Sequence, residues 1–247
     1  MSDRISVGEL RVEDLYKSFG RKQVVRGVTF AMQQGTVVSL LGPNGAGKTT
    51  VFYMIVGFIA PTRGEVYLDR HEIHRLPMYQ RARLGISYLP QEPSVFRRLT
   101  VEQNILAVLE PRPELTPADR RAQTDRLLDE LGIGAVRHQP AYTLSGGERR
   151  RTEIARALAI DPKFLLLDEP FAGIDPRARH EIKSIVGHLA ERGIGVLVTD
   201  HNERDTLDIS DYTYILNEGT IVVAGTRDEI EQNETARKIY LGEDYRR

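Results

Sequence analysis

The chain has 247 residues, with 34 Lys and Arg against 35 Asp and Glu, a net charge of -1 and 40% hydrophobic residues, which is ordinary globular composition with ample chain for a core. This excludes a disordered polyelectrolyte, argues against a general nucleic-acid binder, whose domain would be strongly basic, and leaves no nucleic-acid partner expected. The lack of cysteine excludes disulfides and thiolate chemistry, no apolar run nears the ~18 residues of a membrane span, and Asp3, Arg4 and Glu9 stand where a signal peptide needs apolar residues, so a cytosolic protein is expected.

Residues 10–15, 24–30 and 36–41 read as strands, punctuated by Gly20 and Gly35. The run 36–41 is almost continuously apolar, as in a strand covered on both faces, and passes through a glycine-rich turn into helical spacing over 48–59. A strand at 65–69, a helix started by Pro77 and a strand at 86–89 follow. Helices at 101–109, 117–131 and 146–160 then replace the strand signal. The tail alternates a strand at 164–167, a helix at 176–191, a strand at 194–199 and two β-rich segments around 212–216 and 220–223. Such alternation predicts an α/β fold with a mostly parallel sheet and helices on both faces. The helical stretch 92–141, bracketed by Pro90, Pro93 and Pro140, reads as a lobe inserted into that core, and there is no internal repeat.

Gly42-Pro-Asn-Gly-Ala-Gly-Lys48-Thr49 matches G-x-x-x-x-G-K-[ST] between an apolar strand and a helix start. Glycines let backbone N–H groups curl around phosphates, the helix offers its positive N-terminus, Lys48 adds charge and the Thr49 hydroxyl can ligate Mg²⁺. A nucleoside triphosphate fits all four features. Asp168 and Glu169 end the apolar strand at 164–167, at the carboxyl edge where an open parallel sheet places ligand groups. Asp168 suits the hydration shell of Mg²⁺, and Glu169, expected to point elsewhere, suits activation of a water for attack on the γ-phosphate. Gln91, after the strand at 86–89, is placed to reach the metal or that water, and His201, after the strand at 194–199, to donate to a γ-phosphate oxygen. Ser145-Gly146-Gly147 opens a helix as a second anion-binding terminus, with Ser145 as N-cap. Two such sites about a hundred residues apart fit a dimer in which each chain's cap completes the other's nucleotide.

With these motifs in this order, the chain resembles the ATP-binding cassette of ABC transporters over essentially its full length. The resemblance implies a P-loop NTPase fold: a mostly parallel core with an N-terminal antiparallel β subdomain (together 1–91 and 142–247), a helical subdomain at 92–141 and a C-terminal helical extension at 226–247. It implies a head-to-tail homodimer closing on two Mg-ATP. ATP would be held by Gly42, Pro43, Asn44, Gly45, Ala46, Gly47, Lys48, Thr49 and Thr50 of one chain and by Ser145, Gly146 and Gly147 of the other. Mg²⁺ would be held by Thr49, Gln91 and Asp168, with Glu169, His201 and Gln91 as the catalytic set and Asp175 at the dimer seam. An aromatic residue stacks on adenine in this family; register favours Phe19, with Tyr16 as a competing candidate.

Finer matches, at residues 88–98, 144–151, 168–175 and 240–246, resemble the branch of the family that powers lipopolysaccharide export from the bacterial inner membrane. That implies separate integral membrane subunits, lipopolysaccharide as indirect cargo and attachment to the cytoplasmic face of the membrane. Phe96, Arg97 and Arg98 then read as a docking surface for a membrane partner, against the plainer reading of a loop with a partly buried ring and solvated charges. A branched-chain amino acid importer ATPase and a soluble ATPase outside transport remain the alternatives.

Overall fold

A computed structural model describes residues 8–241. In chain order it contains β1 (Glu9–Phe19), β2 (Lys22–Gln33), β3 (Val37–Leu41), α1 (Lys48–Val56), β4 (Arg63–Leu68), β5 (His71–Glu72), α2 (Met78–Leu84) and β6 (Ile86–Leu89). The helices α3 (Val101–Leu109), α4 (Pro117–Glu130) and α5 (Gly146–Leu158) follow. Then come β7 (Phe164–Asp168), α6 (Pro176–Glu191), β8 (Gly195–Thr199), α7 (Glu203–Ile209), β9 (Tyr212–Asn217) and β10 (Thr220–Gly225). The short helices α8 (Arg227–Gln232) and α9 (Glu234–Ala236) and a π-turn at Arg237–Leu241 end the described chain.

Six strands in the order β10-β9-β3-β8-β7-β6 form the central sheet, parallel from β9 to β6, with β10 antiparallel at one edge. The other four pair antiparallel in the order β2-β1-β4-β5. Alternate residues of the central strands serve two cores, as a period of two requires. Val37, Leu165, Leu167, Val196 and Val198 pack with the helical stretch and α6, whereas Val38, Leu40, Leu166 and Leu197 pack with α1 and the antiparallel sheet. Every residue of β3, β7 and β8 is buried, which explains why these strands read as continuous apolar runs.

The segments β6, α3 and α6 span the residues that the sequence pattern predicts. Thr100 and Asp175 cap α3 and α6 with their side chains, so those helix starts are written in single residues. Elsewhere the bounds move. The helix expected over 48–59 stops at Val56 because Gly57 turns left-handed (φ 96) and its N–H bonds the Tyr53 carbonyl. The strands expected at 10–15 and 24–30 run on to Phe19 and Gln33, carried by cross-strand pairing through polar residues such as Lys17↔Val25 and Ser18↔Gln23. The helix expected to reach 160 ends at Leu158, and β5 and α7 form where no element was expected. The C-terminal stretch is helical at Arg227–Gln232 and from Glu234 to Leu241, broken at the extended Asn233; the rest of the 240–246 motif lies outside the described residues.

Candidate functional site

The glycine-rich turn between β3 and α1 places Gly42, Gly45 and Gly47 at φ 145, 80 and 108, in the region that L side chains avoid. At Gly42 a Cβ would also collide with the carbonyl oxygen of Leu216, so the turn tolerates no larger residue there. Gly47 is the N-cap of α1 and supplies no side-chain cap bond, which leaves the N–H groups of the first turn to an incoming anion. Lys48 is buried and donates to the carbonyl oxygens of Gly42 (2.6 Å) and Pro43 (3.1 Å). Burial pushes its ammonium down, while the carboxylates of Glu169 and Asp168 push it back up.

A cavity of about 260 Å³ joins this turn, through Asn44, Gly45, Gly47, Lys48, Thr49 and Thr50, to Asp168, Glu169, Thr199 and His201 at the carboxyl ends of β7 and β8. Both carboxylates line it. Successive strand residues would face opposite ways, but Glu169 adopts a left-handed backbone (φ 47), and its N–H donates to the Thr199 carbonyl at 2.7 Å. This corrects the expectation that Glu169 points away from the space Asp168 serves. Glu169 is held at both oxygens: Oε1 lies 2.5 Å from His201 Nε2, and Oε2 accepts from Gln91 Nε2 at 2.6 Å. A larger cavity of about 540 Å³ beside His74, Arg75 and Arg81 has no phosphate-binding turn, so volume does not mark the reactive end of this molecule.

Asp168 is 3% exposed, and burial together with the neighbouring charge of Glu169 raises its carboxyl, opposed by Tyr88, Arg150 and Lys48. Tyr88 Oη donates to Asp168 Oδ2 at 3.1 Å from β6, two strand positions before Pro90. Removing that donor leaves a buried carboxylate short of a partner. Tyr88→Phe is therefore expected to lower unfolding stability by about 1–3 kcal/mol, measured by urea denaturation of the nucleotide-free protein. A loss under about 0.5 kcal/mol would show that this bond holds nothing.

The family model for ABC transporters matches residues 25–172. The chain belongs to the ABC transporter family. It is 52% identical over 236 residues to the lipopolysaccharide export system ATP-binding protein LptB of Acidithiobacillus ferridurans, a match covering 96% of this chain and 98% of that one. To the protein of the same name from Escherichia coli K12 it is 48% identical over 237 residues, again covering 96% and 98%. Among solved structures, the ADP conformation of MJ1267, an ATP-binding cassette of an ABC transporter, superposes with a TM-score of 0.85 at 29% identity, covering 96% of this chain and all of that one. The protein is thus an ATP-binding ABC ATPase with the cassette fold: a mixed, largely parallel sheet, an antiparallel sheet and flanking helices.

Within this ABC ATPase the remaining motif residues lie apart from the cavity. Ser145 caps α5 in a reciprocal box: its Oγ accepts from Glu148 N at 3.3 Å, and Glu148 Oε2 accepts from Ser145 N at 2.9 Å and from Ser145 Oγ at 2.7 Å. Ser145 and Gly146 are exposed, Gly147 is buried against Ala178, and none of the three lines the 260 Å³ cavity. Asp175, also exposed, accepts from the N–H groups of Arg177 and Ala178 at 3.0 Å each as the N-cap of α6. Phe19 is 50% exposed, and its cross-strand partner Lys22 lines the cavity. Lys17 Nζ stands 5.2 Å from the centre of the Phe19 ring, and the Arg63 guanidinium covers that of Tyr16 at 5.0 Å.

Sequence reasoning missed Tyr88, Thr199 and Arg150. Arg150 is buried and donates to the carbonyls of Pro90 (2.9 Å) and Asp168 (3.2 Å) and to Glu153 Oε2 (3.1 Å), tying α5 to the approaches of both Gln91 and Glu169. A signal was available, because Arg150 falls on the buried stripe of α5 with Gly147, Ile154 and Leu158, where a solvated arginine would not sit. For Tyr88 and Thr199 nothing local gives notice.

Proposed function

We propose that this chain is the ATP-hydrolysing subunit of a lipopolysaccharide export transporter, acting as a homodimer beneath integral membrane subunits on the cytoplasmic face of the bacterial inner membrane. The observation that carries the reading is identity near 50% to LptB proteins over 96% of the chain, spread well beyond the catalytic motifs. The same relatives favour it over an amino acid importer. Among the described residues no helix is long and apolar enough to cross a membrane, which supports the need for spanning partners. Capture of the protein from solubilised membranes, with mass spectrometry of its partners and lipids, tests the reading. Co-isolation of a lipopolysaccharide-bearing membrane complex is expected; membrane subunits of an amino acid importer in its place would overturn it.

In the mechanism the turn 42–47 and the first turn of α1 bind the phosphates through backbone N–H groups, and Lys48 exchanges its carbonyl acceptors for phosphate oxygens. Phe19 supplies a ring face for adenine. Glu169 accepts a proton from the attacking water at one carboxylate oxygen while His201 and Gln91 fix its orientation. The residues present suit Mg²⁺. The donors are oxygens, one buried carboxylate at Asp168 and one hydroxyl at Thr49, and no cluster of three acidic or imidazole groups among the described residues would draw a softer ion. Gln91 completes the set, and when bound the ion neutralises charge on the outer phosphates. Ser145, Gly146 and Gly147 act on the nucleotide of the facing chain, with Asp175 at the seam between them. The stretch 92–141 serves as a helical lobe leading into this helix tip, and the described parts of 1–91 and 142–247 serve as the core.

Phe96, Arg97 and Arg98 are exposed, and their loop is built to stay in shape. The fully buried Asn104 side chain accepts from Phe96 N at 2.8 Å and donates to the carbonyls of Phe96 (3.2 Å) and Thr100 (2.9 Å), while the Arg156 guanidinium lies 4.3 Å from the centre of the Phe96 ring. A preorganised exposed aromatic flanked by arginines suits a protein interface. Phe96→Ala is expected to weaken co-isolation of the membrane subunits by about tenfold or more while ATP turnover of the free subunit stays within about twofold. Undiminished capture of those subunits would remove the loop from the interface.

A further inference from the structure

We propose that the hydroxyl of Thr199 is a direct contact of the nucleotide's outer end, an oxygen of the third phosphate or of a water held there by the metal. The proposal rests on the ATP site described above and adds a residue that none of its motifs contains. Thr199 is the last residue of β8 and only 1% exposed, yet its Oγ1 is buried with no hydrogen-bond partner among the described residues. Burying a hydroxyl unpaired costs about 1–3 kcal/mol, and a native site keeps such a group where something else satisfies it.

The surroundings say where that partner comes from. Thr199 pairs with Asp168 in the parallel register of β7 and β8, which sets the two side chains side by side on one face of the sheet. Both line the 260 Å³ cavity with Lys48, Glu169 and His201. Its backbone carbonyl is taken by Glu169 N, which fixes the strand end in place. Two neighbouring polar groups are engaged elsewhere: Asp200 accepts from Phe171 N (2.9 Å) and Asn202 N (3.0 Å), and His201 contacts Glu169. The Thr199 hydroxyl is thus an unpartnered group paired in register with the carboxylate of Asp168, in the cavity that Lys48 and Glu169 share.

The test is calorimetric binding of the β,γ-imido analogue of ATP and of ADP to the full chain, with Mg²⁺ or with EDTA, comparing wild type with Thr199→Val and Thr199→Ser. Valine keeps the shape and removes the hydroxyl; serine keeps the hydroxyl. Valine is expected to weaken the triphosphate by about tenfold or more, as for a hydrogen bond to a charged group, with ADP unchanged and serine within about twofold of wild type. Weakening with and without Mg²⁺ identifies a phosphate oxygen as the partner, and weakening with Mg²⁺ alone a metal-held water. Equal triphosphate binding by valine and wild type overturns the proposal, as does an equal loss for ADP or an equal loss in serine. Should the valine chain fail to fold, Thr199→Ala against Thr199→Ser makes the same comparison. A wild-type chain that binds neither nucleotide would overturn the ATP site itself, a failure distinct from that of Thr199.

Discussion

Glu169→Gln is expected to lower ATP turnover by about 10²–10⁴-fold while leaving ATP affinity within a few-fold of wild type, and to accumulate an ATP-bound dimer. The substitution keeps the shape of a side chain whose two oxygens contact His201 at 2.5 Å and Gln91 at 2.6 Å, and it removes the capacity to accept a proton while turning one of those two acceptors into an N–H donor. Binding depends on the turn at 42–47 and on Lys48, which the change does not touch. The left-handed backbone at Glu169 matters here, because it brings the carboxylate into the cavity that Asp168 shares, where a water can reach it. Steady-state phosphate release, ATP binding by calorimetry and light scattering with ATP measure the three parts. Turnover within about tenfold of wild type would remove Glu169 as the base.

The second large effect concerns Ser145, which does not line the cavity that holds Lys48 of its own chain. Ser145→Arg is expected to lower hydrolysis by at least about 10²-fold without altering ATP binding to the isolated chain, because the tip of α5 lines none of the cavity that holds Lys48. Lys48→Ala should be inactive for the opposite reason: it loses the cradle and keeps the tip. A mixture of the two inactive chains is then expected to recover activity, since a mixed dimer contains one site built from an intact cradle and an intact tip. Activity of wild type should also fall with the square of concentration once dimers dissociate. Two inactive chains that stay inactive when mixed, under conditions where they are shown to pair, would refute the shared site.

Much of this was legible in the chain because the information is local. The phosphate turn is written in consecutive residues, and the positive φ at Gly42, Gly45 and Gly47 is the physical content of its glycines. The helices α3 and α6 begin where Thr100 and Asp175 cap them and fill the predicted spans. The hairpin of β1 and β2 runs further than hydropathy suggests, because ladder bonds join backbones irrespective of polar side chains such as Lys17 and Gln23. The helix α7 escaped notice since seven residues with only Thr206 and Leu207 buried make no periodic pattern. In the site, Gln91, Asp168, Glu169 and His201 were readable as ends of apolar strands. Tyr88 and Thr199 were not, because their roles arise from strand register: one reaches Asp168 from 80 positions away, the other stands beside it only once β7 and β8 pair.

The bonds from Lys48 to the carbonyls of Gly42 and Pro43 bear on the kinetics of nucleotide exchange. A buried ammonium stripped of acceptors would act as a trap, since each departing product would have to strand a charge in a poorly solvated pocket. Here the loop itself offers acceptors within reach of the same side chain, so the ammonium has hydrogen-bond partners without a bound phosphate. A departing anion then need not leave this ammonium unpaired, because the carbonyls of its own loop stand ready to take it.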